Sequence, residues 1–144
     1  MPFAISVENI TKSFEESRII DDVSFNLAPG TSSVIVGPAA SGKSLLLKCI
    51  LGLIPIDSGN ISINGLSGIN RLKEMNNVGV MFQENALFDS LTVWENIAFR
   101  LINQSRISER TAKTIAREKL SQVHLTNDTF NKYPAELSGG MQKR

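Results

Sequence analysis

The sequence has few of the features that mark disulfide-stabilised or nucleic-acid-binding proteins. Among its 144 residues there are one cysteine, one tryptophan and one tyrosine, and the formal net charge is +1. A single cysteine excludes an internal disulfide framework and fits a reducing compartment. A charge so close to zero gives no basic excess of the kind that nucleic-acid binding requires, so we expect no nucleic-acid partner.

Long hydrophobic runs are also missing. The N-terminal residues lack the basic start and the apolar stretch of a secretory signal. The most hydrophobic segment, Leu45 to Ile56, contains Lys48, Gly52 and Pro55. At about a dozen residues it is too short to span a bilayer as a helix. We therefore expect no direct membrane insertion, so that any work at a membrane depends on another protein.

The residues that are present give an ordinary globular composition, with 42% hydrophobic and 20% charged residues. A chain of this length can bury the core of one domain. Apolar and polar residues alternate in its first part, which predicts strands, and Gly and Pro mark the turns. The predicted elements are strands at residues 5–10, 23–27 and 61–63, a buried strand at 33–36, turns at 29–30 and 57–59, and a helix from Lys43 to Leu53.

The later part of the sequence changes from strand to helix. Val78 to Phe82 is apolar and predicts a further β-segment, which follows the polar stretch Arg71 to Asn77. Helices are predicted from Thr92 to Leu101 and from Ser108 to Val123. In the second of these helices the apolar residues fall on one face, and the basic residues are expected to face solvent. The pattern predicts an α/β core that continues into a helical subdomain.

A phosphate-binding loop is predicted between the strand at 33–36 and the following helix. Residues 37–44 read Gly-Pro-Ala-Ala-Ser-Gly-Lys-Ser and fit the pattern G-x-x-x-x-G-K-[ST]. Glycines let backbone N–H groups surround phosphate oxygens, and the helix N-terminus adds its positive end. In such a loop Lys43 reaches the β- and γ-phosphates, and the hydroxyl of Ser44 ligates Mg²⁺. The predicted nucleotide-binding residues here are Gly37, Pro38, Ala39, Ala40, Ser41, Gly42, Lys43, Ser44 and Leu45.

The alternative to a phosphate-binding loop is a glycine-containing turn in front of a core helix. In either case the apolar residues of that helix belong to the core, and Cys49 is expected to be a small buried side chain.

A second arrangement suited to an anion occurs near the last residues of the sequence. Leu137 is followed by Ser138, Gly139 and Gly140, a polar residue and two glycines before a predicted helix start. Bare N–H groups and a hydroxyl at a helix start can bind an anion. The alternative is a simple helix N-cap, for which Ser138 is well suited after the helix stop at Tyr133-Pro134.

Together the two motifs resemble those of the ATP-binding-cassette (ABC) transporter ATPases, and the resemblance covers the whole chain. It implies an α/β, P-loop NTPase fold of the ABC-cassette type, here incomplete. Its expected parts are an N-terminal antiparallel β subdomain, a partial parallel core sheet and an α-helical subdomain. Residues 1–84 would form the partial ATP-binding core, and residues 85–144 the helical subdomain that ends in the signature motif. The implied cofactors are ATP and Mg²⁺.

The resemblance also assigns roles to individual residues. Ser138, Gly139 and Gly140 match the signature motif, which implies contact with the γ-phosphate held by the P-loop of a second subunit. Gln83 matches the Q-loop glutamine, which implies a catalytic role, contact with Mg²⁺ and sensing of the transmembrane subunit. Phe14 matches the aromatic residue that stacks on adenine; the alternative for Phe14 is a core or edge-strand aromatic.

Two positions depart from the family pattern. Ala40 stands where the family usually has a glycine inside the P-loop. If this position needs a positive φ, alanine costs on the order of 1 kcal/mol and weakens ATP binding. Met141 replaces the usual glutamine at the end of the signature motif, which we interpret as a marker of a subgroup.

Residues 78–83 and 86–96 are similar to the ATPases of Mla/Mce-type lipid transport systems, also labelled toluene-tolerance or ribonucleotide-transport (Mkl-like) ATP-binding proteins. Residues 136–144 fit this group but also resemble glycine-betaine and amino-acid importers, which remain the alternative. A soluble ABC-type ATPase of DNA repair or translation is a further alternative, although such proteins usually carry long insertions or two cassettes.

The implied partners are transmembrane permease subunits and a second copy of the nucleotide-binding subunit. This places the protein peripherally at the cytoplasmic face of the inner membrane. Apolar residues in the stretch 85–94 are expected either to receive a helix of the permease or to pack between the core and the helical subdomain. These residues are Leu87, Phe88, Leu91 and Trp94.

The resemblance implies further parts that these 144 residues do not contain. No hydrophobic run of four or more residues ending in two acidic residues is present, so no Walker B aspartate or catalytic glutamate is identified, and the D-loop and H-loop are also missing. Because hydrolysis depends on a positioned water, we expect these residues alone to bind nucleotide weakly and not to hydrolyse it.

We expect a truncated or split gene product, or a deliberately shortened chain, and a non-hydrolysing remnant is the alternative function. The strands at 33–36 and 78–82 would then lack the neighbour they share in the family, which leaves apolar strand edges exposed.

Overall fold

The computed structural model describes residues 4–83, 86–105 and 107–144. Asn85, where the predicted helical subdomain begins, lies outside these residues. The chain divides into two compact units, Met1–Gly79 and Val80–Arg144.

The first unit is built on a four-stranded antiparallel sheet with the order β2-β1-β3-β4. The strands are β1 (Ile5–Phe14), β2 (Ser17–Leu27), β3 (Ser58–Ile63) and β4 (Leu66–Ser67). Val7 of β1 pairs with Ile61 of β3, and both side chains are buried. The period-two alternation therefore predicted parts of three of the four strands, at 5–10, 23–27 and 61–63. It missed residues 11–14 of β1, 17–22 of β2 and 58–60 of β3.

Helix α1 (Lys43–Ile50) packs on this sheet with Leu46, Cys49 and Ile50 buried. Cys49 is fully buried, as expected, and its burial raises the pKa of the thiol. The predicted helix end at Leu53 is wrong. Gly52, with φ +74°, donates to Cys49 O, and Leu53 donates to Lys48 O over 2.9 Å. These two bonds form a Schellman motif, so the helix stops before the glycine.

The turn predicted at Asp57-Ser58-Gly59 is also incorrect. β3 begins at Ser58, which pairs with Thr11 of β1. Gly59 lies inside the strand with φ +90°, and a Cβ there would be 2.4 Å from the backbone oxygen of Asn9. The glycine that suggested a turn is required instead by the close approach of two strands.

The partial parallel sheet does not form among the described residues, because the segments 33–36 and 78–82 are unpaired. Val34 and Val36 are 83% and 87% exposed, and Met81 is 87% exposed. The two predicted strands are therefore wrong as strands and as buried segments. An apolar sequence favours the extended conformation, but a strand also needs a neighbour that supplies the hydrogen bonds of the ladder.

A 3₁₀ segment, Gly68–Asn77, replaces the unassigned polar stretch before residue 78. Its Arg71 is 9% exposed and donates from a terminal nitrogen to Cys49 O over 3.0 Å. Burial lowers the pKa of this guanidinium. Arg71 thus joins the 3₁₀ segment to the last turn of α1, a contact that the sequence pattern did not suggest.

The second unit contains α2 (Val93–Asn103), α3 (Glu109–Gln122) and α4 (Gly139–Lys143), with 3₁₀ turns at Asn127–Thr129 and Pro134–Glu136. Thr92 and Ser108, where the sequence predicted helices to begin, are the N-cap residues of α2 and α3. The core of this unit consists of Val93, Trp94, Ala98, Ala112, Ala116, Leu120, Phe130 and Leu137.

Two basic residues of α3 cover aromatic rings of this core. The Lys113 ammonium lies 4.6 Å from the centre of the Trp94 ring, and the Arg117 guanidinium lies 4.3 Å from that of Phe130. The two rings are stacked with centroids 6.0 Å apart. The expectation that these residues face solvent holds for Arg117, which is exposed, and in part for Lys113, which is half-buried; both charges also contribute cation–π attraction.

Within the described ranges, no helix combines the length and the apolarity that crossing a bilayer requires.

Candidate nucleotide-binding site

The Lys43 side chain is hydrogen-bonded to the predicted phosphate loop that precedes it. Its ammonium donates to the backbone oxygens of Gly37 and Pro38 over 2.9 and 2.5 Å, and to Ser41 Oγ over 3.4 Å. The side chain therefore folds back into the loop that precedes its own helix. The ammonium thus lies in the concave side of the loop, where a phosphate group would compete for it as a charged hydrogen-bond partner.

The first turn of α1 presents unpaired backbone donors. The first helical bond runs from Leu46 N to Gly42 O over 2.8 Å, so the N–H groups of residues 43–45 have no partner within the helix. Gly42 has φ +86° and no side chain caps this end, and the first turn carries no acidic residue. These donors and the positive end of the helix favour an anion at this position.

Two glycines of the loop lie where neighbouring atoms leave little space for a side chain. A Cβ on Gly42 would be 3.0 Å from Ile19 Cγ2 and 3.2 Å from Ile19 O. A Cβ on Gly37 would be 3.0 Å from Ser41 Oγ. Both contacts are tighter than side chains normally make, so the spacing of glycines in the motif reflects close packing around the loop as well as backbone freedom.

Ala40 has φ +59°. The position at which the family usually has a glycine therefore does have the positive φ that makes alanine unfavourable. A left-handed backbone costs an alanine about 1 kcal/mol, whereas glycine adopts it freely but loses more entropy on folding.

We expect Ala40→Gly to change the free energy of unfolding by between about 0 and +1 kcal/mol. The same change at the neighbouring Ala39 is expected to cost about 0.5 kcal/mol, because its φ is not positive. Urea unfolding of both variants checks this, and effects of the same sign would contradict it.

An open cleft of about 430 Å³ connects the loop with the end of β1. Phe14 lies on its wall and is 49% exposed, which is incompatible with the core alternative for this ring. The structure therefore brings Phe14 together with the loop residues 40–45. Sequence reasoning missed Ile19, Lys48 and Ile54, which also line the cleft. They come from three separate elements, and no local pattern connects them.

The residues present fit the cofactors that the resemblance implies. The unpaired amides and Lys43 suit the phosphates of ATP, and the exposed face of Phe14 suits a planar base. Ser44 is exposed and its hydroxyl makes no hydrogen bond to a described residue, so it can offer one oxygen to Mg²⁺. Magnesium commonly takes most of its ligands from phosphates and water. In the parts of the chain that the structure describes, no group of three or more His, Cys, Asp or Glu residues could hold a metal.

The remaining predicted site residues belong to the second unit. Gln83 is exposed at a bend that follows the extended segment 78–82. Ser138 is the N-cap of α4, and its hydroxyl accepts from Met141 N over 3.3 Å. Capping is thus observed, and a role in binding an anion stays a prediction. Gly139 and Gly140 are exposed, with open space where their side chains would be.

The apolar residues after Gln83 differ in their surroundings. Trp94 is 9% exposed and belongs to the core of the helical unit. Phe88 is 48% exposed and lies against Phe99, with ring centroids 4.5 Å apart. Trp94 therefore packs inside its own unit, whereas Phe88 and Phe99 form an aromatic pair at the surface of that unit.

Comparison with known proteins agrees with this geometry. The sequence profile of the ABC transporter family matches residues 20–144. The chain is 41% identical to the probable ribonucleotide transport ATP-binding protein mkl of Mycobacterium leprae (strain TN), over 100% of the chain and 43% of that protein. It is 35% identical to the glutamine transport ATP-binding protein GlnQ of Escherichia coli (strain K12), over 97% of the chain and 60% of that protein.

A solved structure has a closely similar fold. It is the dimeric structure of a post-hydrolysis state of the ATP-binding cassette MJ0796 bound to ADP and Pi. The TM-score is 0.85 at 28% identity, over 96% of this chain and 65% of that one. The chain thus spans 43% of the mycobacterial protein's length and about two thirds of the cassette. The match over residues 20–144 shows that the chain belongs to the ATP-binding domains of the ABC transporter family.

Proposed function

We propose that this chain binds ATP with Mg²⁺ in the cleft between Phe14 and the loop 37–44, as part of the ATP-binding subunit of an ABC transporter. The observation that carries the proposal is the set of unpaired N–H groups at the start of α1, next to Lys43 and opposite an exposed aromatic ring. The amides and the lysine supply sites for phosphate oxygens, and Phe14 supplies a stacking surface for adenine.

Calorimetric titration of the chain with Mg²⁺ and ATP tests this proposal. We expect a dissociation constant of about 0.1 to 1 mM, which corresponds to ~4 to 5.5 kcal/mol of binding free energy. Binding is expected to be weak because the signature residues Ser138, Gly139 and Gly140 are proposed to act on nucleotide held by a second subunit. If the chain shows no binding of ATP at several millimolar, the proposal is wrong.

Hydrolysis is a separate expectation for the same sample. These 144 residues contain no run of four or more apolar residues that ends in two acidic residues, and Gln83 alone does not supply a carboxylate to position water. We therefore expect ATP binding without release of phosphate above the rate in buffer. A robust release of phosphate by the purified chain would contradict this expectation and would point to another acidic group as the base.

The proposed partners are a second copy of the ATP-binding subunit and transmembrane permease subunits, at the cytoplasmic face of the inner membrane. The solved MJ0796 cassette is a dimer, which supports the first partner. In such a dimer Ser138, Gly139 and Gly140 would bind the γ-phosphate of ATP held by the opposite P-loop, and Gln83 would contact Mg²⁺ and respond to the permease.

For the transported substrate we propose a lipid. The support is the resemblance of residues 78–83 and 86–96 to lipid-transport ATPases, together with a relative named Protein TRIGALACTOSYLDIACYLGLYCEROL 3, chloroplastic, from Arabidopsis thaliana, which is 38% identical over 97% of the chain and 41% of that protein. The relative named for glutamine transport favours an amino acid as the second candidate. ATPase activity distinguishes them when it is measured in detergent on a transporter whose ATP-binding subunits contain this sequence together with a Walker B motif, because these 144 residues alone are not expected to hydrolyse ATP. Stimulation by added phospholipid supports the first candidate, and stimulation by glutamine supports the second.

A further inference from the structure

The end of β1 extends beyond its neighbour β3. The last pair between these strands is Thr11 with Ser58, where β3 begins, while β1 continues to Phe14. On the β3 side, the backbone of β1 after Thr11 has no strand to pair with. On its other side β1 pairs with β2 as far as Phe14 and Ser17, so the end of β1 is held along one edge only. A strand end paired on one side is less firmly held than one paired on both, so a further contact restricts the positions of the ring that it carries.

Asp57, the residue just before β3, occupies the place of the missing strand. Its backbone N–H donates to Thr11 O over 2.9 Å. One oxygen of its carboxylate accepts from Ser13 N over 2.7 Å, and the other accepts from the Lys12 ammonium over 2.6 Å. Three consecutive residues of β1 are therefore held by this one residue, up to the position next to Phe14.

The Lys12 contact reaches the aromatic ring itself. The Lys12 side chain is 12% exposed, and its ammonium lies 5.4 Å from the centroid of Phe14. A cation at this distance is attracted to the ring, so Lys12 connects the Asp57 carboxylate to Phe14. The hydrogen bonds from the Lys12 side chain and from the Ser13 backbone hold the pKa of the Asp57 carboxyl below its usual value.

We propose that Asp57 is a positioning residue for the nucleobase: through Lys12 and the Ser13 amide it holds Phe14 against the cleft in the orientation that stacks on the base. The inference rests on the proposed ATP site. In this arrangement Asp57 does not touch the nucleotide, and it contributes to binding only through Phe14. The phosphate-binding loop and the unpaired amides of α1 are independent of it.

A double-mutant cycle on Asp57 and Phe14 tests this inference, with two ligands measured in parallel. ATP has a base, whereas inorganic tripolyphosphate offers phosphates alone. We expect Asp57→Ala to weaken ATP binding about fivefold. The change for tripolyphosphate is expected to be less than about twofold. In the Phe14→Ala background, Asp57→Ala is expected to have no further effect on ATP binding.

Asp21→Ala is the matched control, because it removes an exposed ion pair with Arg18 in the same unit, and no hydrogen bond or ion pair joins Asp21 to residues 11–14. Asp57→Asn is the second variant if Asp57→Ala does not fold. It keeps an acceptor for Ser13 N but loses the charge that pairs with Lys12, so an intermediate loss of ATP affinity is expected.

Three results would overturn the inference. They are equal losses for ATP and tripolyphosphate, additive effects of the two substitutions on ATP binding, and an Asp57→Ala variant that binds ATP like the unaltered chain. In each of these cases the unaltered chain still binds ATP, so the proposed function stands. Absence of ATP binding by the unaltered chain would contradict the proposed function and this inference with it.

Discussion

Gly59→Ala is expected to destabilise the first unit by at least about 3 kcal/mol, because a methyl group has no space at this position. The new Cβ would lie 2.4 Å from Asn9 O and 2.5 Å from Glu8 O, and backbone oxygens cannot rotate away as side chains can. The φ of +90° adds strain of its own. Relief requires β1 and β3 to move apart, which breaks the pairs around Val7 and Ile61. Hydrogen exchange of the β1 and β3 amides measures the loss.

Gly65→Ala is a close control for this prediction. Gly65 also has a left-handed backbone, with φ +77°, but its Cβ would meet nothing within 4 Å. Its substitution is expected to cost only the conformational strain, about 1 kcal/mol. The difference between the two variants isolates the close approach of the strands. Similar losses for both would show that strain alone, and not contact with β1, explains the glycine at position 59.

Lys43→Ala is expected to lower the affinity for ATP by about 10- to 100-fold, which corresponds to the ~1.5 to 3 kcal/mol of a hydrogen bond to a charged group. The ammonium already lies inside the loop, held by Gly37 O and Pro38 O. A phosphate oxygen is a stronger partner than these carbonyls because it is charged. Removal of the side chain leaves the phosphates with backbone donors only. Calorimetry with ATP measures the effect.

Lys48→Ala controls for the loss of a positive charge from the same cleft. Lys48 lines the cleft and lies in the last turn of α1, away from the unpaired amides. Its substitution is expected to weaken ATP binding by less than about threefold, as for a solvent-screened charge. Equal effects of the two substitutions would indicate that the cleft attracts nucleotide by its general charge and not through the loop.

Local patterns in the sequence were sufficient to predict those elements whose position depends mainly on their own residues. Alternation placed β1, β2 and β3, and the N-caps Thr92 and Ser108 placed the starts of α2 and α3. The loop 37–44 was also found locally, because the motif encodes both its turn and the start of its helix. In these cases the information lies within one or two turns of chain.

The sequence could not predict features that depend on distant parts of the chain. Residues 34–36 are apolar and favour a strand by composition, yet residues 33–36 are not a strand because no described segment pairs with them. Gly59 suggested a turn, whereas its conformation is set by the backbone of Glu8 and Asn9 in another strand. The contacts of Asp57 with Lys12 and Ser13 depend on the exact point where β3 begins, and nothing in the local sequence of either segment marks that point.

The position of Trp94 has a consequence for spectroscopy. It is the only tryptophan of the chain, and it is buried beside Phe130 in the core of the helical unit, under the Lys113 ammonium. Its emission therefore reports the packing of that unit, whereas the sheet and the cleft belong to the other unit. Quenching or a wavelength shift of this tryptophan during a titration with ATP would be evidence that the helical unit responds to nucleotide bound in the other.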